Sequence, residues 1–497
     1  MDTRPDPTQL MAPGGARSRS GRTLLRTARL TGSVLSAVLV LSGQPALAAS
    51  DPRARAIIEL ASGRPAPAQA VADSLLRADL SDLTAAYVGA RAAEEAGEID
   101  GARCRYLELE RVAPGQPVAR LAADRRRSLE ARHADHLVAE ARRGDAEQPS
   151  ERAAVMRDLV LLLPLENLGE AEPGAGFGLS WTFLLDEALR GTELCPVGLP
   201  AMLAAQDQAA GALPRRIPEA VRRFPVNSLA GLDARLAALP GREGRSYLAI
   251  AGADSAAIRK DALLAFQRDH GLVPSGEADR ETQRALESAL ERWVDEPPAP
   301  LAPEAVPRAM RQLGAGLALR GTYVLEGDRA RVQFGWIDLE GREVVAAVSR
   351  TFPVVAAREE VRAAALDLLR RRGGDSHLEG DRISLEAAAL RTLTDGLLLD
   401  ARGAGELAAR RWEGLERLVD QWPRAREVRT AWQLDEARLR EIELHLLNEW
   451  ARGPIFDPRR EVERFVDHFG IGSPSVDPNA VGVLGTFGIL DLEIEGP

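Results

Sequence analysis

From residue 51 to about residue 150 the apolar positions recur three and four apart, which predicts helix almost throughout. In "AAYVGARAAEEAGEIDGARCRYLELERVAPGQPVARLAADRR" two apolar faces are separated by "AGEID" and closed by Pro114. The pattern changes at "MRDLVLLLPLENLG", where Leu159 to Leu163 is a continuous apolar run, short enough for a buried strand and stopped by Pro164. "LSWTFLLDEALRGT" then reads as an amphipathic helix with Gly191 at its end, "ELCPVG" as a short second strand and "LPAMLAAQDQ" as a second helix. The result is a β-α-β-α opening.

Strands resume about a hundred residues later. "GLALRGTYVLEGDRARVQFGWIDLEGREVVAAVSRTF" alternates apolar and polar positions through three runs. Turns at Glu326-Gly327-Asp328 and Glu340-Gly341-Arg342 separate them into a meander. Alternation suits strands with one face on helices and the other nearer solvent. "REEVRAAALDLLRRR" follows as a helix, so the two pieces form one α/β unit interrupted by an insertion. After residue 373 the periodicity is helical again, through "LEAAALRTLTDGLLLDARGAGELAARRWEGLERLVDQWP". The tail "AVGVLGTFGILDLEIEGP" reads either as an added strand or as a disordered end with an apolar patch.

The insertion has a grammar of its own. Leu229, Leu232, Leu236 and Leu239 follow Ser228 at helical spacing and stop at Pro240-Gly241. Phe266 lies one turn after Ala262 and two after Ile258, pointing into a small core. Gly271 stands where a left-handed residue ends that helix, and Asp279 is placed to cap the next one near Thr282. "LPRRIPEAVRRFP" before it and "EPPAPLAPEAVP" after it read as stiff, extended spacers.

These residues carry three resemblances. Phe266-Gln267, Gly271-Leu272, Gly276, Asp279, Thr282 and Leu286 match, in order and spacing, the second half of the peptidoglycan-binding family of three-helix modules. The front half departs from it, with "GREGRSYLAIAGAD" in place of a glycine-rich loop. That resemblance implies muropeptide binding, with Gln267, Arg268 and His270 as the candidate ligand-binding residues. Residues 156–212 and 303–372 resemble the two halves of the TolB amino-terminal-like fold, shared by the curli secretion protein CsgG, the flagellar protein FlgO and the lipoprotein activators of penicillin-binding proteins. Unlike CsgG, the chain has no lipobox cysteine and no pair of alternating hairpins suited to a membrane barrel. Gly97, Ala102, Tyr106 and Pro114 fall at spacings that resemble a tetratricopeptide repeat.

Composition narrows the function classes. Residues 1–50 carry six Arg against two Asp, so the net charge of −10 becomes −14 for the remainder, a poor balance for binding nucleic acid. "RSRSGRTLLRTAR", the short apolar core "LTGSVLSAVLVLSG" and "ALAAS" read as an export signal cleaved after Ala48. Cys104 and Cys195 fall in segments assigned to different domains and are expected to be two separate buried thiols. His133 and His136 are expected on a solvated helix surface, and Trp412, Trp422 and Trp432 as packing residues. The chain contains no H-E-x-x-H, G-x-S-x-G or phosphate-loop motif.

The expectation is therefore a multidomain α+β protein. Its parts are a signal peptide (1–48), a repeat-like, TPR-like helical domain (51–150), a split TolB-N/CsgG-like α/β domain (156–212 and 303–372) with an inserted three-helix peptidoglycan-binding-like module (213–300), a helical TPR-like region (380–455) and a tail (456–497). The function expected is that of a non-enzymatic periplasmic scaffold, without cofactor, metal or catalytic residue. Its partners would be peptidoglycan and envelope proteins, with self-association allowed. A secretion component, an activator of a wall synthase and, less favoured, a wall hydrolase are the alternatives.

Overall fold

The structure, a computed structural model, describes residues 51–143, 156–169, 176–190, 192–242, 244–248, 256–298, 300–338, 343–371, 387–413, 415 and 436–451. The signal segment, Gly191, the turn at residues 340–342, Trp422, Trp432 and the tail lie outside them.

The described residues begin with five helices: α1 (Pro52–Ala61), α2 (Pro65–Ala78), α3 (Leu83–Glu95), α4 (Ile99–Val112) and α5 (Pro117–Arg143). Asp51 caps α1 ahead of a proline at its start, and Asp82 caps α3 by accepting from the Ala85 amide at 3.0 Å. Gly97 adopts φ 83° in the sharp turn between α3 and α4, a conformation that disfavours a side chain. Buried Ala92, Ala93 and Ala102 let these helices approach closely, around Tyr87 and Tyr106 with ring centroids 6.0 Å apart. The expected helix pair is present.

The sheet has the order β3-β1-β4-β5-β6, built from β1 (Met156–Leu162), β2 (Glu166–Asn167), β3 (Cys195–Pro196), β4 (Ala315–Glu326), β5 (Arg329–Ile337) and β6 (Glu343–Pro353). Strand β1 pairs in parallel with β3 and β4, and β4-β5-β6 is antiparallel. The two halves of the split unit therefore share one sheet, as the sequence pattern predicts. The small strand β2, parallel to β4, has no counterpart in that prediction. Helices α6 (Gly176–Leu189), α7 (Leu199–Ala209), α12 (Val306–Leu313) and α13 (Ala357–Arg371) accompany the strands. Along β5, Ala330, Val332 and Phe334 are buried while Arg329, Arg331 and Gln333 are exposed, so one face is covered and the other open.

The insertion holds α8 (Glu219–Arg223), α9 (Leu229–Ala238), α10 (Ala256–Asp269) and α11 (Arg280–Asp295). Beyond the sheet, α14 (Ala387–Ala401) and α15 (Gly405–Arg411) form a pair packed on α6 and α11, with Ser180 and Thr394 sharing a buried hydroxyl contact of 2.5 Å. Helix α16 (Glu436–Ala451) instead returns to the amino-terminal layer, where Leu439, Ile442 and Trp450 join the core of α1 and α5. The described helices after residue 386 thus divide between two cores.

Two expectations are corrected by packing. Cys104 on α4 and Cys195 on β3 form a disulfide, because the helical layer lies directly against the sheet edge and brings their Cα atoms to 5.6 Å. His133 is buried on α5, while His136 alone faces solvent and pairs with Glu140 at 3.0 Å.

Candidate functional site

The residues matched to the peptidoglycan-binding pattern come together in the second half of the insertion. Phe266 is wholly buried, with Tyr247 edge-on at 5.5 Å and His270 tilted over it at 4.2 Å. Gly271 (φ 69°) ends α10 in the left-handed region, and Gly276 (φ 70°) makes the turn toward α11. Leu272 packs at the margin of the core and Leu286 lies inside it. Asp279 caps α11 by accepting from the Thr282 amide at 2.7 Å, and this bond holds its carboxyl below the usual carboxylate range.

Gln267 is committed inside the module. Its side-chain nitrogen donates to Ser275 Oγ (3.1 Å), the Glu277 carbonyl (2.9 Å) and Thr282 Oγ1 (3.0 Å), and its oxygen accepts from the Gly276 amide (2.9 Å). A buried amide making these bonds pins the loop between α10 and α11. Arg268 and His270, by contrast, are exposed at the end of α10. Burial against Phe266, then the neighbouring Arg292, lowers the His270 pKa, so its ring is biased toward the neutral form and can donate or accept. The geometry thus leaves Arg268 and His270 as the pair able to meet a ligand.

Two other placements differ from the periodic reading. Ile258 is half exposed because it falls in the first turn of α10, and Leu229, which opens α9, is also exposed. The flank "LPRRIP" is not a spacer but a buried strap. Arg216 donates to Asp135 on α5 at 2.7 Å and to the Ala401 and Ala131 carbonyls at 2.6 and 3.1 Å. Beside it, the Ile217 amide donates to the Arg402 carbonyl at 2.8 Å.

Where α5, this strap, α11 and the end of α14 meet lies an open cleft of about 1310 Å³. Its wall carries both signs of charge, including Arg127 and Asp135 from α5, Arg222 from α8, Glu291 from α11 and Asp400. Burial pushes the Asp400 carboxyl up to about 6, against the opposing pull of Arg216, Arg127 and Arg222. Arg222 is lowered by burial and by Arg216. Such a wall can hold polar, zwitterionic or strongly hydrated molecules. Sequence reasoning missed Arg216 because its partners, Asp135 and the Ala401 carbonyl, lie 81 and 185 residues from it along the chain.

Among the described residues no group of His, Cys, Asp and Glu is placed to hold a metal ion, and no helix is long and apolar enough to cross a membrane. In comparisons with known proteins, no family model, no curated sequence and no solved structure matches the chain.

Proposed function

We propose that this is an exported, non-enzymatic envelope protein that contacts peptidoglycan through the insertion and holds partner proteins on its helical and sheet surfaces. The observation that carries the reading is the second half of the insertion: a Phe266 core, two left-handed glycines and an Asp279 cap leave Arg268 and His270 both exposed around the end of α10. A cation and an imidazole biased toward its neutral form suit the carboxylates and amides of a muropeptide. The Cys104–Cys195 disulfide supports export, since such bonds persist in oxidising compartments.

The open face of β5 and the unpaired outer edge of β6, with no further strand beside it among the described residues, offer surfaces for protein contact. Tethering would raise the effective concentration of these surfaces near a partner. The same sheet, through its resemblance to the TolB amino-terminal-like fold, favours as a second reading a secretion component or an activator of a wall synthase.

Co-sedimentation of the full chain with purified sacculi tests the tether. The wild-type protein should pellet, and Arg268→Glu with His270→Ala should remain largely in solution while staying folded by circular dichroism. A wild-type protein that stays in the supernatant refutes the tether. Co-purification of a synthase from envelope extract, unaffected by the double substitution, would favour the second reading.

A further inference from the structure

The strongest unexplained feature of the molecule lies beside the disulfide. Arg103, on α4, is 2 % exposed, and its side chain donates from Nη2 to the Cys195 sulfur at 3.4 Å. Its Nε is buried without an acceptor among the described residues. Among the carboxylates that act on it, Asp100, one turn back on the same helix, contributes most; Glu130 on α5 pairs with Arg126 at 2.8 Å, Asp186 on α6 pairs with Arg190 at 2.8 Å, and Arg126 itself opposes the Arg103 charge. Burial accordingly lowers the Arg103 pKa, with Asp100, then Glu130, opposing that shift. A buried cation is costly unless it is paired, and a disulfide sulfur is a poor counter-charge. A thiolate at the same position would be a good one.

We propose that Cys104–Cys195 is a thiol–disulfide exchange site that takes a dithiol as its partner, with Cys195 as the stabilised leaving group. The two sulfurs are unequal: Cys195 is buried, whereas Cys104 is partly exposed. A thiolate of the partner dithiol attacks Cys104 Sγ and forms a mixed disulfide. The Cys104–Cys195 bond breaks and its electron pair goes to Cys195 Sγ, where the Arg103 guanidinium receives the negative charge. The second thiol of the partner loses its proton to solvent and attacks the partner's own sulfur in the mixed disulfide. Cys104 leaves as a thiolate and is protonated, and the dithiol is oxidised to its disulfide by two electrons. Exchange is faster when the leaving thiol has a low pKa, so Arg103 favours this direction over attack at Cys195. Reduction removes the covalent tie between the helical layer and the short edge strand β3, and with it a constraint at the sheet edge.

The test uses the full mature chain. Reduction by dithiothreitol is followed by alkylation and intact mass, and glutathione is used to trap the first mixed disulfide for peptide mapping. Glutathione should be found on Cys104, and Arg103→Gln should slow reduction by about tenfold, with Arg103→Lys recovering much of the rate. Should Arg103→Gln fail to fold, the reduced wild-type protein decides alone: the alkylation of Cys195 should level off at lower pH than that of Cys104. Glutathione trapped on Cys195, an Arg103→Gln protein reduced as fast as wild type, or a Cys195 inflection at or above that of Cys104 would each overturn the proposal. So would free thiols in the protein isolated under non-reducing conditions.

Discussion

A single glutamate joins the last described helix to the layer formed by α1–α5. Glu443 on α16 accepts from Tyr87 Oη at 2.9 Å and from both Arg91 and Arg125, which come from α3 and α5. Arg125 is 1 % exposed, so removing the carboxylate would take a close buried counter-charge from it and from Arg91, which keeps Glu94 and Glu95. Glu443→Gln should therefore cost about 3–5 kcal/mol in urea unfolding, far more than an exposed pair such as Arg111 with Glu108. Asp400 makes a prediction of the opposite sign. Its folded pKa, about 6, lies above the ordinary value of 3.8, so between these values the folded state binds more protons than the unfolded one. Its contribution to stability is present at low pH and is lost as pH rises from about 4 through 6. Asp400→Asn should remove that decline and be more stable than wild type at pH 7, as read from urea midpoints across the range. A wild-type midpoint that rises over that interval by the same amount in the variant would refute it.

At the level of elements, the sequence was most legible where periodicity and a stop signal agree. The apolar run Leu159–Leu163, the alternation through the first half of β5, and the cap at Asp279 all carry their structure locally, whereas the central strand β4 buries Leu317, Ala318 and Leu319 in a row and does not alternate. The disulfide, the strap at Arg216 and the return of α16 were not legible, because each is set by which surfaces meet and not by any local pattern. The candidate site was half legible: the spacing located Gln267, but the loop folding back on it decided that its amide faces inward. Two substitutions test the element packing. Phe266→Ala should cost about 3–5 kcal/mol, since it empties a fully buried aromatic position between Tyr247 and α11. Gly396→Ala would set a methyl carbon 2.0 Å from Trp412 Nε1, which donates to the Leu393 carbonyl at 3.1 Å. Helix α14 must then move off α15, at a cost of about 1–3 kcal/mol, and the Trp412 emission should shift as its indole loses that bond.

Across the whole molecule, the insertion is not sealed off from the body that carries it. Phe266, Leu286 and Leu290 belong to the same continuous core as Trp181, Trp336 and Leu397. Arg402, at the end of α14, donates to the Val294 carbonyl at 2.6 Å and also to the Glu296 carbonyl, where α11 ends, and Arg411 pairs with Asp295 at 2.9 Å. A carbonyl pair at a helix end is a favourable seat for a guanidinium, because the backbone groups there lack partners within the helix. The contact therefore fastens the insertion to α14 as the strap at Arg216 fastens it to α5. Cutting out residues 213–300 would remove both fastenings and leave Arg402 buried without its acceptors, so a deletion confuses loss of wall contact with loss of folding. Hydrogen exchange reports the coupling without that confusion. The slowest amides of α11 and α14 should open with the same free energy, as one cooperative unit. Arg402→Ala should lower protection in both helices together and leave the β4–β5 pairs unchanged. Were α11 to exchange faster than α14 in the wild-type protein, and α14 to be untouched by the substitution, the insertion would be a separate folding unit.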